Sequence, residues 1–218
     1  MNFTTAPELD AIVRAATVTV DGLTVRSPEP KLDESIAFAV ATIRGWAEVP
    51  AMTDLVRTMY KKVGLDPTKT RPSSEALLRR VRRGDTLPRV NTIVDLCNWC
   101  SVETQIAFGV YDRDRIAGEA LALRIGAEGE GYDGIRKDRV NVAGRLTLVD
   151  AEGPFGNPTS DSLRTSVSTA TTRVLFVLFT PGPTPADDGT AAVSLTAGRV
   201  TTFAGGRESA RLLYSPTP

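Results

Sequence analysis

Residues 91–112 read NTIVDLCNWCSVETQIAFGVYD, and no other part of the chain is so strongly patterned. Ile93, Val94, Leu96, Cys97 and Cys100 recur at helical spacing, and with Trp99 and Val102 they predict a largely buried helix over 92–102. Past Glu103 the period changes: Ile106, Phe108 and Val110 alternate with Ala107, Gly109 and Tyr111, which predicts a strand ending at Asp112. A buried helix therefore feeds a strand. Inside the apolar pattern sit Asp95 and Asn98, a carboxylate and an amide on one face of the helix. Such groups are seldom buried without partners or a ligand to satisfy them, so these two are the first candidates for a site. Structural duty is the rival reading, because a buried Asp that caps a loop has the same signature.

Working outward, residues 12–25 (IVRAATVTVDGLTV) place β-branched residues on both sides of Asp21-Gly22, which predicts a hairpin. Residues 32–49 carry Ile36, Val40, Ile43 and Trp46 at helical spacing, with Asp33 and Glu34 near the start where the helix dipole favours acids. Residues 52–63 repeat the pattern and stop at Gly64, two prolines make 65–72 a loop, and Ser73 is a fitting N-cap for a helix that buries Leu77, Leu78 and Val81. Downstream, strands over 117–126 and 145–149 flank an exposed excursion at 128–141. GPFGNP at 153–158 is too dense in turn residues for regular structure, and the segment that follows crowds hydroxyls with Arg164. Local hydrogen bonding is the plain reading of Ser162 and Thr165 there. VLFVLFTP at 174–181 has the uninterrupted apolar character of a strand buried on both faces. A Gly/Pro linker, a helix through Val193, Leu195 and Val200, and a strand over 210–214 close the chain. Helices gather in the first half and strands in the second, which makes the class α+β.

Composition narrows the chemistry. A chain of 218 residues with balanced charge is expected to form a single domain over 1–218. It has no apolar stretch of membrane-spanning length and no basic signal-peptide start, so it is expected in the cytoplasm. The sequence contains no histidine, which excludes a Ser-His-Asp triad, a histidine general base and every imidazole zinc site. Cys97 and Cys100 form a CxxC, but inside a helix and with no second pair, so they read as small core residues and no metal or cofactor is expected. No dinucleotide or phosphate-loop pattern accompanies the strands. Between residues 57 and 89, ten basic residues face three acids. Arg71, Arg79, Arg80, Arg83 and Arg89 belong to that run, which suggests a polyanion partner or, equally, a solvated face paired with acids elsewhere, such as Glu128 and Glu130.

VDLCNWCSVE followed by FGVYDRDRI resembles the helix-strand signature of the B3/B4 domain in the β subunit of bacterial phenylalanyl-tRNA synthetase, matching at Val94, Asp95, Asn98, Trp99, Glu103, Tyr111 and Asp112. RPSSEALLRRV upstream and GPFGNPTSDSLRTSVSTATTRVLFVLF downstream resemble free-standing relatives of that domain, so the likeness extends over about 55–179. It implies a layered β-sandwich with flanking helices and an editing-type pocket that hydrolyses mischarged aminoacyl-tRNA. Two family residues are replaced: the histidine before the aromatic-Asp pair falls on Gly109, and a later glutamate falls on Val177.

On that resemblance, Asp95 and Asn98 are the candidate catalytic residues. Gly109, Tyr111, Ser162, Arg164 and Thr165 are the candidate substrate pocket, Gly109 leaving extra volume where the family has a ring. Arg71, Arg79, Arg80, Arg83 and Arg89 are the candidate tRNA contacts. An ester is already activated, so a positioned water and an oxyanion donor suffice for hydrolysis without histidine. The alternatives are a tRNA- or RNA-binding module without chemistry, and a binding protein for an amino-acid-like small molecule.

Overall fold

The computed structural model describes residues 1–27, 29–136 and 138–214. The helix of the patterned stretch, α4 (Thr92–Thr104), is fixed at both ends; the earlier helices are α1 (Pro30–Arg44), α2 (Met52–Lys62) and α3 (Ser73–Arg82). The Asn91 side chain caps α4 by accepting the backbone N–H groups of Ile93 and Val94 at 3.1 and 3.0 Å. At the other end Gln105 takes a left-handed backbone, φ 58°, uncommon without glycine. Its buried side chain holds it there: Oε1 accepts from Thr53 Oγ1 at 2.9 Å and Nε2 donates to the Val102 carbonyl at 2.6 Å. The chain then reverses directly into β3 (Ala107–Asp112).

Among the described residues nine further strands complete the sheets: β1 (Asn2–Thr5), β2 (Val13–Leu23), β4 (Ala120–Ile125), β5 (Gly131–Asp133), β6 (Arg139–Asn141), β7 (Leu146–Asp150), β8 (Gly153–Gly156), β9 (Arg173–Pro181) and β10 (Gly205–Leu212). One four-stranded sheet has the order β1-β4-β7-β8 and the other β10-β2-β9-β3; β5 and β6 pair only with each other. Strand periodicity of two divides the second sheet's side chains cleanly. Leu175, Val177 and Phe179 of β9 join Leu121, Leu123, Leu148 and Phe155 of the first sheet in one core. Val174, Phe176 and Leu178 face the other way, against Ile93, Leu96 and Cys100 of α4 and Val193 and Val200 of α5 (Ala186–Ala204). The architecture is α+β in three layers, helices on sheet on sheet, and every apolar side chain of β9 is buried. Arg199 of α5 locks the helical layer by stacking 3.6 Å from the Trp99 ring and pairing with Glu103 at 2.7 Å.

Several local expectations yield to long-range pairing. No hairpin turns at Asp21-Gly22: β2 runs unbroken between β9 and β10, partners more than 150 residues away in sequence. GPFGNP contains a strand after all, because β8 is a sheet edge, where proline costs no ladder bond. The excursion at 128–141 folds into the β5–β6 pair with Tyr132 buried. Ser73 is the first residue of α3, with Pro72 in the capping position. No helix among the described residues is long and apolar enough to cross a membrane.

Candidate functional site

Helix α4 is buried almost all round, which leaves one open stripe. Val94, Cys97, Asn98 and Ser101, at helical spacing along that stripe, form one wall of a cavity of about 420 Å³. Leu77 and Ser73 of α3, Phe108 and Val110 of β3, and Val167 extend the lining, so its floor is apolar. The Asn98 side chain is half-buried, and among the described residues its amide has no hydrogen-bond partner. It is the polar group on α4 left for a ligand.

The facing wall is the turn at 157–161, and it is rigid. Asn157 Oδ1 accepts the N–H groups of Thr159 and Ser160, both at 2.8 Å. Tyr60 Oη donates to the Pro158 carbonyl at 3.1 Å, and Tyr132 Oη to the Ser160 carbonyl at 2.5 Å. Burial pushes the Tyr60 phenol up to about 12, so it remains a donor throughout the neutral range. Asp161 follows the turn, bridged to Gly156 across it, and lines the cavity together with Arg136.

Gly109 does not open into this cavity. It belongs to the opposite face of β3, where the ring of Tyr111 lies over it: a Cβ built on Gly109 would meet Tyr111 Oη at 2.2 Å, and one on Gly156 would meet it at 2.3 Å. The volume expected at Gly109 is filled by a side chain two residues along the same strand. Tyr111 is accordingly a core residue, edge-on to Phe155 at 5.0 Å.

Ser162, Arg164 and Thr165 also stand apart from the cavity. Arg164 grips Asp150 with two hydrogen bonds of 2.9 Å and reaches Glu152 at 3.3 Å, while the Ser162 and Thr165 hydroxyls bond each other at 2.8 Å. Ser162 and Arg164 border a second, separate depression with Arg115, Arg139 and Glu152. The expected pocket bordered by Asn98, Gly109, Ser162 and Arg164 is therefore not one cavity: Asn98 lines one, Ser162 and Arg164 line another, and Gly109 lines neither. Asp95 does not line the cavity; it accepts from the Val90 N–H at 2.8 Å and Arg89 Nε at 2.9 Å. Arg89 in turn pairs with Asp33, tying α1 to α4. Arg89→Met should therefore leave a buried carboxylate uncompensated and cost about 2 kcal/mol in urea denaturation, without altering binding in the cavity.

The basic run is partly neutralised from within. Arg57, Arg71 and Arg79 converge on the buried carboxylate of Glu75, at 2.8, 3.6 and 3.3 Å. Arg80 donates to the Thr86 carbonyl and Arg83 lies 3.8 Å from Asp85. Glu130, expected as a counter-charge for this face, pairs with Arg124 instead, and that guanidinium draws its carboxyl down to about 2. Three guanidiniums around one carboxylate still leave positive charge on α3, whose other face supplies Ser73 and Leu77 to the cavity.

The model of the B3/4 domain matches residues 55–184, more than half of the chain. The chain belongs to the B3/4 domain family. Among solved structures, the crystal structure of an N-terminal fragment of the phenylalanyl-tRNA synthetase β-subunit from Pyrococcus horikoshii is similar in fold. The TM-score is 0.50 at 13% identity, covering 95% of this chain and 50% of that one. The chain thus spans half the length of that fragment. No curated protein matches.

In this B3/4 domain Gly109 and Val177, the two replaced positions, are direct partners across β3 and β9 on the face turned toward the other sheet. Neither carries a group that can bind or transfer a proton. The polar wall instead comes from Asn157, Ser160 and Asp161, at the start of the hydroxyl-rich segment; Asn157 is the residue that sequence reading passed over, and its signal was the Asn-Pro turn.

Both cysteines are buried, and burial, followed by the charge of Asp161, pushes the Cys97 thiol well up; burial raises Cys100 as well. Iodoacetamide should modify the native domain slowly at neutral pH and faster as pH rises past the ordinary thiol value. Cys97, on the cavity wall, should react before Cys100, and an occupant of the cavity should protect it, as peptide mass mapping would show.

Proposed function

We propose that this B3/4 domain takes the aminoacyl end of a mischarged tRNA into the α4 cavity and hydrolyses its ester, acting in trans. The observation that carries this reading is the placement of Asn98: a free amide over an apolar cavity of about 420 Å³, at the family's asparagine position. The apolar floor of Leu77, Phe108, Val110 and Val167 suits an amino-acid side chain. Water adds to the ester carbonyl, Asn98 Nδ2 donates to the oxygen that becomes negative, and the ribose oxygen leaves with the proton that water gives up. No histidine is needed, since the leaving group is an activated ester. Helix α3 carries basic side chains as well as the cavity residues Ser73 and Leu77, which supports an approach by phosphates, with binding that weakens steeply in salt.

A second reading, an amino-acid-like small molecule without tRNA, is favoured by Arg136. This guanidinium lines the cavity and suits a free carboxylate, which an aminoacyl ester lacks. The experiment is deacylation of a panel of mischarged tRNAs by the purified protein, with the free amino acids titrated in parallel. Turnover of at least one mischarged tRNA supports the first reading; binding of a free amino acid with no turnover supports the second.

A further inference from the structure

We propose that Arg57, Arg71 and Arg79, gathered by the buried carboxylate of Glu75, form a phosphate-binding site outside the α4 cavity. None of the four residues lines that cavity, so the proposal stands apart from the aminoacyl reading and goes beyond it. The three cations come from different segments: Arg57 from α2, Arg71 from the loop that precedes α3, and Arg79 from α3 itself. Glu75 draws them together. Arg57 Nη1 donates to both carboxylate oxygens, at 3.0 and 2.8 Å, and the Nε atoms of Arg71 and Arg79 stand 3.6 and 3.3 Å from its Oε1.

One carboxylate cannot neutralise three guanidiniums, so two positive charges remain beside it. Glu75 is buried, whereas Arg79 is exposed and Arg57 and Arg71 are partly so. Their donors are unspent. Neither Arg71 nor Arg79 makes a hydrogen bond among the described residues, and Arg71 Nε is buried without a hydrogen-bond partner. A buried guanidinium donor that no protein acceptor meets is costly, and an oxyanion brought to it gains a charge-assisted bond from a planar fork already in place. Lys61, one turn beyond Arg57 on α2, is exposed and extends the positive surface. The other arginines nearby are spent on the protein's own backbone. Arg44 donates to the Val81 and Gly84 carbonyls, Arg80 to that of Thr86, and Arg82 to those of Trp46 and Glu48, which ties α1 and the segment after it to α3. The ligand class is a phosphate group, free or in a nucleic-acid backbone, because a tetrahedral oxyanion accepts from more than one guanidinium at once and carries the charge that this cluster leaves unmatched.

The test follows the arginine Nε–H resonances by NMR while inorganic phosphate and, separately, deacylated tRNA are titrated into the full chain. Arg71 and Arg79 should shift saturably with inorganic phosphate, and Arg80 and Arg82 should not. Arg79→Gln, at an exposed position, should weaken phosphate binding about tenfold, while Arg80→Gln should leave it within about twofold. With tRNA, Arg79→Gln should lower the magnitude of the slope of log Kd against log salt by about one. Glu75→Gln adds one net positive charge and should nonetheless weaken binding, because the guanidiniums are then no longer held together; a merely basic surface would bind more tightly. A lowered slope supports the site with a nucleic-acid backbone as its occupant, and saturable phosphate binding with an unchanged slope supports it with a free phosphate. The absence of a saturable shift at Arg71 and Arg79 with either probe, equal effects of Arg79→Gln and Arg80→Gln, or tighter binding by Glu75→Gln overturns the proposal. The first two of these results stand even where Glu75→Gln does not fold. Neither probe carries an aminoacyl ester, so failure of the hydrolase reading leaves this site untouched, and failure of this site leaves that reading to its own assay.

Discussion

Gly109→Ala should destabilise the protein by about 3 kcal/mol, and Gly109→Leu should prevent folding. The added Cβ would lie 2.2 Å from Tyr111 Oη and 2.7 to 2.8 Å from its ring carbons, distances that real Cβ atoms do not adopt. The ring cannot swing aside. Gly156 confines it on the other side just as closely, Phe155 abuts it edge-on, and the side chain is fully buried. A backbone shift is no easier, because Gly109 is paired with Val177 midway along the β3–β9 ladder. Removing the ring should relieve the clash: in Gly109→Ala combined with Tyr111→Leu, the glycine substitution should cost less than it does alone, a coupling of about 1 kcal/mol or more. Urea denaturation of the four proteins closes the cycle. A Gly109→Ala protein as stable as wild type would show that Tyr111 does not lie where it is described, and would restore Gly109 as a place for ligand.

The contrast shows which links of the chain were open to reading from sequence. Helix α4 and strand β3 were legible because their periods differ within one short stretch and because both are buried. Strand β9 was legible because only a strand covered on two faces is apolar at every position. The β2 reading went wrong for the opposite reason: Asp21-Gly22 looks like a turn locally, and nothing nearby in sequence announces that β9 and β10 will flank the strand. At the site, helical spacing identified Asn98 as a group without a local partner. The same spacing could not separate it from Asp95, whose partners Arg89 and Val90 lie just upstream and turn it into a brace. Gly109 looked like vacant volume because a sequence shows what a residue lacks and not what a neighbour puts there. Arg164 and Ser162 were assigned to the pocket wall on the resemblance, but the wall proper is the turn at 157–161, and the chain just past that turn lines a different depression. The resemblance carried the family and the layered architecture; the family's histidine position proved to be packed by a phenol.

Asn98→Ala should lower the rate constant for deacylation by about 100-fold or more, the usual consequence of removing one donor to a developing oxyanion. Stability should change by no more than about 0.5 kcal/mol, because the side chain is half-buried and makes no hydrogen bond among the described residues. The two readouts together separate a functional role from a structural one. Asn98→Asp should be at least as damaging, since it replaces a donor by an acceptor and adds a second negative charge across the cavity from Asp161.

The most direct test of the cavity as the seat of function is the single-turnover deacylation rate of one mischarged tRNA by wild type and by Asn98→Ala, at protein concentrations that saturate the tRNA. Hydrolysis by wild type well above the spontaneous rate, falling by about two orders of magnitude in Asn98→Ala with unchanged saturation by tRNA, is the expected result. Equal rates for the two proteins would contradict the account, because the ester would then be cleaved somewhere other than at the open face of α4.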